Sequence, residues 1–114
     1  MSEKEQAARF RPLLEAELAA LRAESASSAE DRAPVTLDQQ SVGRLSRMDA
    51  LQAQAMAQAT EKRRRQRLAQ IEAAFRRMDA GEYGYCATCG EAIAEKRLAA
   101  DPAAHLCVLC SKGR

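Results

Sequence analysis

The sequence predicts a mainly α-helical protein, an antiparallel two-helix coiled-coil hairpin with a small four-cysteine unit at its base. Strong helix formers, with apolar residues spaced three and four apart, occupy two long stretches of the chain. All four cysteines follow the second stretch, from residue 86 onwards. We therefore expect the hairpin over residues 1–80 and the cysteine-rich unit over residues 81–114.

The first helix is predicted over about residues 3–26. One apolar stripe runs along it at spacings of four, four and three, formed by Phe10, Leu14, Leu18 and Leu21. Pro12 either lies in the first turn of this helix, which would then begin near Arg11, or kinks a longer one. Residues 27–44, which include a proline and a glycine, are expected to form a loop at the tip of the hairpin.

The second helix is predicted over about residues 45–79 and ends before Gly81. Its apolar positions are Leu45, Met48, Ala55, Met56, Ala59, Leu68, Ile71, Phe75 and Met78. Two amphipathic helices joined by a short polar loop bury their apolar stripes by packing antiparallel. The pattern leaves open whether they pair within one chain or between two, and a monomer is expected.

The composition indicates a small core. Hydrophobic residues make up 46% of the chain, but there is no Trp and only two Phe and two Tyr, and alanine buries little area. The net charge of +2 argues against a dedicated nucleic-acid-binding protein. No apolar run approaches the roughly 20 residues that cross a bilayer, and the first ten residues lack a signal-peptide pattern, so a cytoplasmic protein is expected.

The cysteines form two C-x-x-C pairs, Cys86 with Cys89 and Cys107 with Cys110, separated by seventeen residues. This spacing is typical of a four-thiolate zinc site, since two tight turns complete a tetrahedron around one ion. Two disulfides or a redox pair are the alternatives, and the lack of a βαβ pattern disfavours the redox pair. Because thiolates fill all four positions, the one predicted zinc ion is structural and an enzyme is not expected.

Five cations lie close together in the second helix and are called the basic run: Lys62, Arg63, Arg64, Arg65 and Arg67. They form either a patch for nucleic-acid or nucleotide phosphates or a solvated set that winds around the helix. Successive residues are rotated by about 100° and do not share one face, which favours the solvated set. A nucleic-acid-binding zinc protein that uses this run is the alternative function.

A more specific pattern occupies the last third of the chain. It comprises GEYGYCATCG at residues 81–90, Ile93, RLAA at residues 97–100, Pro102 and LCVLC at residues 106–110. In these residues the chain resembles the DksA/TraR zinc-finger family. The resemblance implies a bacterial transcription regulator that binds RNA polymerase without recognising a DNA sequence. It also implies that the hairpin enters the secondary channel of the polymerase, and that the zinc unit, including Arg97, docks at the channel rim.

The tip departs from the family pattern. The family motif Asp-x-x-Asp-x-Ala falls, by counting without gaps, on Gly43, Ser46 and Met48, so it is not matched. The partner-binding residues expected at this tip are Arg44, Arg47, Asp49 and Ala50. A second departure concerns the basic residues that contact guanosine tetraphosphate in the family. By counting without gaps, their positions fall on Gln70, Asp101 and Ser111, none of which is basic. Little or no dependence on this alarmone is therefore expected.

Overall fold

The structure is a computed structural model that describes residues 3–33 and 44–113, with the backbone alone for residues 3 and 44–46. Within these residues the chain forms five helices: α1 (Glu3–Ser27), α2 (Ala29–Arg32), α3 (Arg44–Ala80), α4 (Glu95–Ala100) and α5 (Val108–Ser111). The same residues contain no strand, and one isolated antiparallel bridge joins Tyr85 to Ala92. The protein is therefore mainly α-helical, as predicted. None of the described helices is both long and apolar enough to cross a membrane.

α1 begins at Glu3 and continues to Ser27 with Pro12 inside it. The alternative start near Arg11 is therefore wrong. Proline removes one backbone donor, but its side chain is exposed here and its fixed φ of about −65° is compatible with a helix. The helix continues because Phe10 and Leu14, on either side of the proline, are buried at 1% and 0% exposure.

The chain divides into two compact units, and each long helix contributes residues to both. The first unit comprises Met1–Ala19 and Arg67–Arg114. Its helices pair antiparallel within one chain, because Arg11 contacts Asp79 at 3.1 Å while Glu17, further along α1, contacts Arg67 at 2.5 Å. The buried apolar residues of the described chain all lie in this unit: Phe10, Leu14, Ile71, Ala74, Tyr83, Cys86, Ile93, Leu98, Ala103 and Ala104. The cysteine-rich segment therefore shares one core with parts of α1 and α3.

The second unit, Ala20–Gln66, is packed differently. Its helices are also antiparallel, as Arg64 contacts Glu24 at 3.3 Å and the side chain of Gln54 donates to the carbonyl of Ala33 at 2.8 Å. Four residues of the predicted apolar stripe are exposed in this unit: Met48, Ala55, Met56 and Ala59. The prediction that this half of α3 buries a stripe is wrong; its contacts with α1 and α2 include hydrogen bonds and ion pairs with Glu24, Ser25, Ser28 and Arg32.

Candidate metal centre and partner-binding residues

A tight turn carries the first cysteine pair. The amide of Gly90 donates to the carbonyl of Cys86 at 2.9 Å, and the amide of Cys86 donates to the carbonyl of Glu91 at 2.8 Å. Folding back directly after Cys89 requires a left-handed backbone, which Gly90 provides with a φ of 76°. The turn brings the sulfurs of Cys86 and Cys89 within 4.8 Å of each other.

A short helix carries the second pair. Cys107 directly precedes α5 in an extended conformation, and Cys110 lies in the helix. The amide of Ser111 closes this turn on the carbonyl of Cys107 at 2.9 Å. A hydrogen bond of 2.8 Å from the amide of Ala87 to the carbonyl of His105 joins the two pairs. His105 contributes this backbone contact, while its side chain is exposed and outside the cysteine cluster.

The four cysteine sulfurs converge on one point. All lie within 4.8 Å of one another, and those of Cys89 and Cys107 are 3.8 Å apart. A tetrahedron with Zn–S bonds of about 2.3 Å has edges of about 3.8 Å. Sulfurs in a disulfide lie about 2.05 Å apart, so the disulfide alternative does not fit this arrangement. The cluster fits one structural zinc ion held by four thiolates, which supplies no open position for a reactant.

The electrostatics of the cluster favour a bound cation. The backbone amides of Cys89 and Cys107 lower the pKa of the Cys86 thiol to about 6. Hydrogen bonding with Cys107 has the opposite effect on Cys110 and raises its pKa to about 12. Four thiolates in this space repel one another, and a divalent cation removes the repulsion. Metal binding and folding of the segment are therefore coupled.

Two side chains brace the cysteine cluster. Tyr83 is fully buried, and its hydroxyl donates to the carbonyl of Pro102 at 2.7 Å. Nε of Arg97 donates to the carbonyl of Leu106 at 2.7 Å, which ties α4 to the start of the second cysteine pair. Arg97 is half-buried, so this predicted partner-binding residue also supports the fold of the finger. Its contact with a partner stays a prediction.

Arg67 links three parts of the first unit. Its guanidinium contacts Glu17 of α1 at 2.5 and 3.0 Å and the carboxylate of Asp101 at 2.9 Å. The same carboxylate caps the turn after α4 by accepting from the amide of Ala103 at 3.1 Å. The hydrogen bond to Glu17, followed by the contact with Asp101, raises the pKa of Arg67 further. Arg67 thus fastens the cysteine-rich segment to both long helices.

The five cations of the basic run differ in their exposure to solvent. Arg64 and Arg67 are mostly covered, with side-chain exposures of 18% and 24%, because each pairs with an acid of α1. Lys62, Arg63 and Arg65 are exposed. The solvated interpretation therefore fits Lys62, Arg63 and Arg65, whereas Arg64 and Arg67 are held in ion pairs with α1.

The predicted tip residues lie at the start of α3. Residues 34–43, which hold most of the predicted loop, and the side chain of Arg44 lie outside the described residues. Arg47, Asp49 and Ala50 share the first two turns of α3. Asp49 is exposed, whereas Arg47 and Ala50 are half-buried. Their role in partner binding stays a prediction.

Sequence reasoning offered Glu61 and Glu72 only as possible partners of the basic run and did not identify the polar cluster that surrounds Glu61. This side chain accepts hydrogen bonds from Ser25 and Arg32, and it lies 3.9 Å from Arg64. A signal was present, because Glu61 is the only acid between Asp49 and Glu72 and lies beside the basic run. Its partners on the other helices could not be read from the sequence, since Ser25 and Arg32 are 36 and 29 residues away.

Comparisons with known proteins agree with the metal site and the fold. Residues 81–113 match the family description "Prokaryotic dksA/traR C4-type zinc finger". The RNA polymerase-binding transcription factor DksA of Haemophilus influenzae is 44% identical over 48 residues, which are 42% of this chain and 33% of that protein. The match therefore spans about a third of the length of this relative. The structure of transcription factor DksA2 from Pseudomonas aeruginosa is similar in fold, with a TM-score of 0.77 and 23% identity over 95% of this chain and 81% of that one.

Proposed function

Because the chain carries a zinc finger of the DksA/TraR type, we propose that it is a bacterial transcription regulator that binds RNA polymerase directly. The observation that carries this proposal is the match, at 44% identity over 48 residues, to a protein named as an RNA polymerase-binding transcription factor. The zinc site agrees with it, since a closed four-thiolate centre braces a fold and offers no coordination position for catalysis. Binding, and not an enzymatic reaction, is the proposed activity.

The proposed mechanism is insertion into the secondary channel of the polymerase. In it, the helical hairpin enters the channel and the tip residues contact the polymerase near its catalytic centre: Arg44, Arg47, Asp49 and Ala50. The exposed carboxylate of Asp49 supports a polar contact of this kind. The zinc finger, with Arg97 in α4, docks at the rim of the channel.

The proposal includes a cytoplasmic monomer that recognises no DNA sequence and has little or no dependence on guanosine tetraphosphate. Asp101 supports the last point, because its carboxylate contacts Arg67 at 2.9 Å and adds negative charge where an anionic ligand would need positive charge. An in vitro transcription titration with and without the alarmone should give the same regulator concentration for half-maximal effect. A large alarmone-dependent shift would contradict this part of the proposal.

The direct test is binding to purified core RNA polymerase. Substituting Arg47→Ala and Asp49→Ala together should weaken binding at least about ten-fold, as expected when charged contacts at the centre of an interface are removed. Gln52→Ala is the matched control, since Gln52 is also exposed and lies on the same helix. Fluorescence anisotropy of the labelled chain measures both affinities. Wild-type chain that does not bind core polymerase at micromolar concentrations would rule out the proposal.

The nucleic-acid alternative has a separate readout. Binding through the basic run predicts a log–log salt slope of several units and loss of affinity in a variant that replaces Lys62, Arg63 and Arg65 by alanine. Since Arg64 and Arg67 are occupied by ion pairs with α1, we expect no retention on duplex DNA at physiological salt. Tight, steeply salt-dependent DNA binding would favour the alternative over the polymerase.

A further inference from the structure

Glu61 is the only buried charged residue in the described part of the chain, at 5% exposure. Its two carboxylate oxygens accept hydrogen bonds from two different helices. Oε1 accepts from the hydroxyl of Ser25 in α1, and Oε2 accepts from the guanidinium of Arg32 in α2. Arg64, one turn further along α3, lies 3.9 Å from the same carboxylate. A buried carboxylate is stable only with such partners, so its place at the junction of three helices needs an explanation.

The explanation lies in α2, which follows α1 after Ser28 and whose own four residues reach Glu61 of α3 through Arg32. The helix has four residues and none of them is buried, and its N-cap Ser28 makes no side-chain capping hydrogen bond. A helix this short is unstable in isolation. Arg32, its last residue, supplies the attachment by donating to Glu61, to the carbonyl of Ser25 at 3.1 Å and to the hydroxyl of Ser28 at 3.0 Å.

A second contact fixes the direction in which the chain leaves α2. The side chain of Gln54 donates to the carbonyl of Ala33, directly after Arg32, at 2.8 Å. Gln54 and Glu61 are seven residues apart on α3, which corresponds to about 10.5 Å along the helix axis. The chain is thus attached to α3 at two positions along the helix, Glu61 and Gln54. From the first to the second it runs towards the end of α3 where Arg47 and Asp49 lie.

We propose that Glu61 is a positioning residue, which holds α2 along α3 and thereby sets the affinity of the chain for its polymerase partner. The effect on affinity rests on the function proposed above. Glu61 is 5% exposed, so its proposed effect runs through the side chains that it holds and not through a contact of its own with the partner. It acts through Arg32, because neutralising the carboxylate leaves that guanidinium without its anionic partner and frees the end of α2. If only a fraction of the molecules hold the competent arrangement, the apparent affinity falls by that fraction.

Hydrogen exchange of the zinc-loaded, full-length chain tests the holding role. In Glu61→Gln and Glu61→Ala, the amides of residues 28–33 should exchange at least about ten-fold faster, since local opening of α2 becomes easier. Glu30→Gln is the matched control, because Glu30 is an exposed acid of α2 without a contact to Glu61. Exchange in α2 at the wild-type rate in Glu61→Ala would overturn the proposal.

Affinity for core polymerase tests the second half of the proposal. Glu61→Gln should weaken binding about ten-fold if the competent fraction falls to a tenth, with zinc content and protection around Phe10 and Ile71 unchanged. Arg32→Ala should produce the same loss, and the double variant should lose no more than either single variant. If the double variant lost the sum of the two single losses in affinity, the proposed link between the position of α2 and polymerase binding would be overturned. Wild-type affinity in a variant whose α2 exchanges faster would overturn it as well. If the wild-type chain does not bind polymerase, the proposed function fails, and hydrogen exchange alone then decides whether Glu61 holds α2.

Discussion

Tyr83 is fully buried, and its hydroxyl donates to the carbonyl of Pro102 at 2.7 Å. Phenylalanine keeps the ring but leaves this carbonyl without its partner, so Tyr83→Phe should lower the free energy of unfolding by about 1 kcal/mol. Tyr85→Phe is the matched control on a side chain that is 44% exposed, and it should change this free energy by less than about 0.5 kcal/mol. Urea denaturation of the zinc-loaded protein measures both, and equal losses would contradict the role given to the Tyr83 hydroxyl.

Glu61 predicts a dependence of stability on pH. The hydrogen bond from Ser25 lowers the pKa of this carboxyl below 4.5, partly opposed by burial and reinforced by Arg32. Because the folded state binds this proton less readily than the unfolded state, the stabilisation is present above pH 4.5 and is lost as the pH falls through the folded pKa. The charged groups around the carboxyl come from all three helices: Glu24 of α1, Arg32 of α2, and Arg64 and Arg65 of α3.

Urea denaturation of the wild type and of Glu61→Gln between pH 7 and pH 3 checks this prediction. The difference in stability between the two proteins should shrink as the pH falls below 4.5. A difference in stability that stays constant from pH 7 to pH 3 would show that the negative charge of Glu61 does not cause the stabilisation.

Single residues differ in how far the sequence could predict them. The zinc site was predictable because each cysteine pair is local, so the spacing alone determines that two sulfurs meet. Phe10, Leu14 and Ile71 were predictable from helical periodicity and are buried. The partners of Glu61 on the other helices, Ser25 and Arg32, were not, because they are 36 and 29 residues away and the chain offers many arginines that could have taken the place of Arg32.

At the scale of elements, the zinc finger depends on its metal. Its buried residues pack in a core shared with α1 and α3, and a segment of this size cannot exclude enough water to fold by hydrophobic burial alone. Chelation of zinc, or Cys89→Ser, should therefore abolish the amide protection of residues 84–113, because structural zinc contributes on the order of 10–16 kcal/mol to such segments. Thr88→Ser, between the ligands but exposed, is the control and should leave protection unchanged. Hydrogen exchange measures the effect, and persistent protection in zinc-free protein would contradict it.

The helices show the same division between local and distant causes. α1 and α3 follow from helix propensity and apolar spacing over many residues. α2, α4 and α5 have four to six residues and were not predicted, since helices this short form only where other parts of the fold hold them. Pro12 could not be resolved from the sequence, because whether a helix continues through a proline depends on the anchoring of the residues around it.

At the scale of the whole molecule, stability should be unevenly distributed along the two long helices. The first unit contains every buried apolar residue of the described chain, whereas the second unit is held by hydrogen bonds and ion pairs. Amides of α3 at residues 50–60 should therefore exchange by local opening at least about ten-fold faster than those at residues 71–75 of the same helix. Native-state hydrogen exchange resolved by residue measures this ratio. Uniform protection along α3 would contradict the prediction.

The contact between Arg9 and Glu95 joins residues 86 positions apart, and Phe10 packs against Tyr83 with ring centroids 6.4 Å apart. The beginning of α1 thus finds some of its neighbours in segments that are synthesised much later. On the ribosome, this helix emerges well before the residues that cover its apolar side. Phe10 therefore lacks its contact with Tyr83 until that part of the chain has left the exit tunnel.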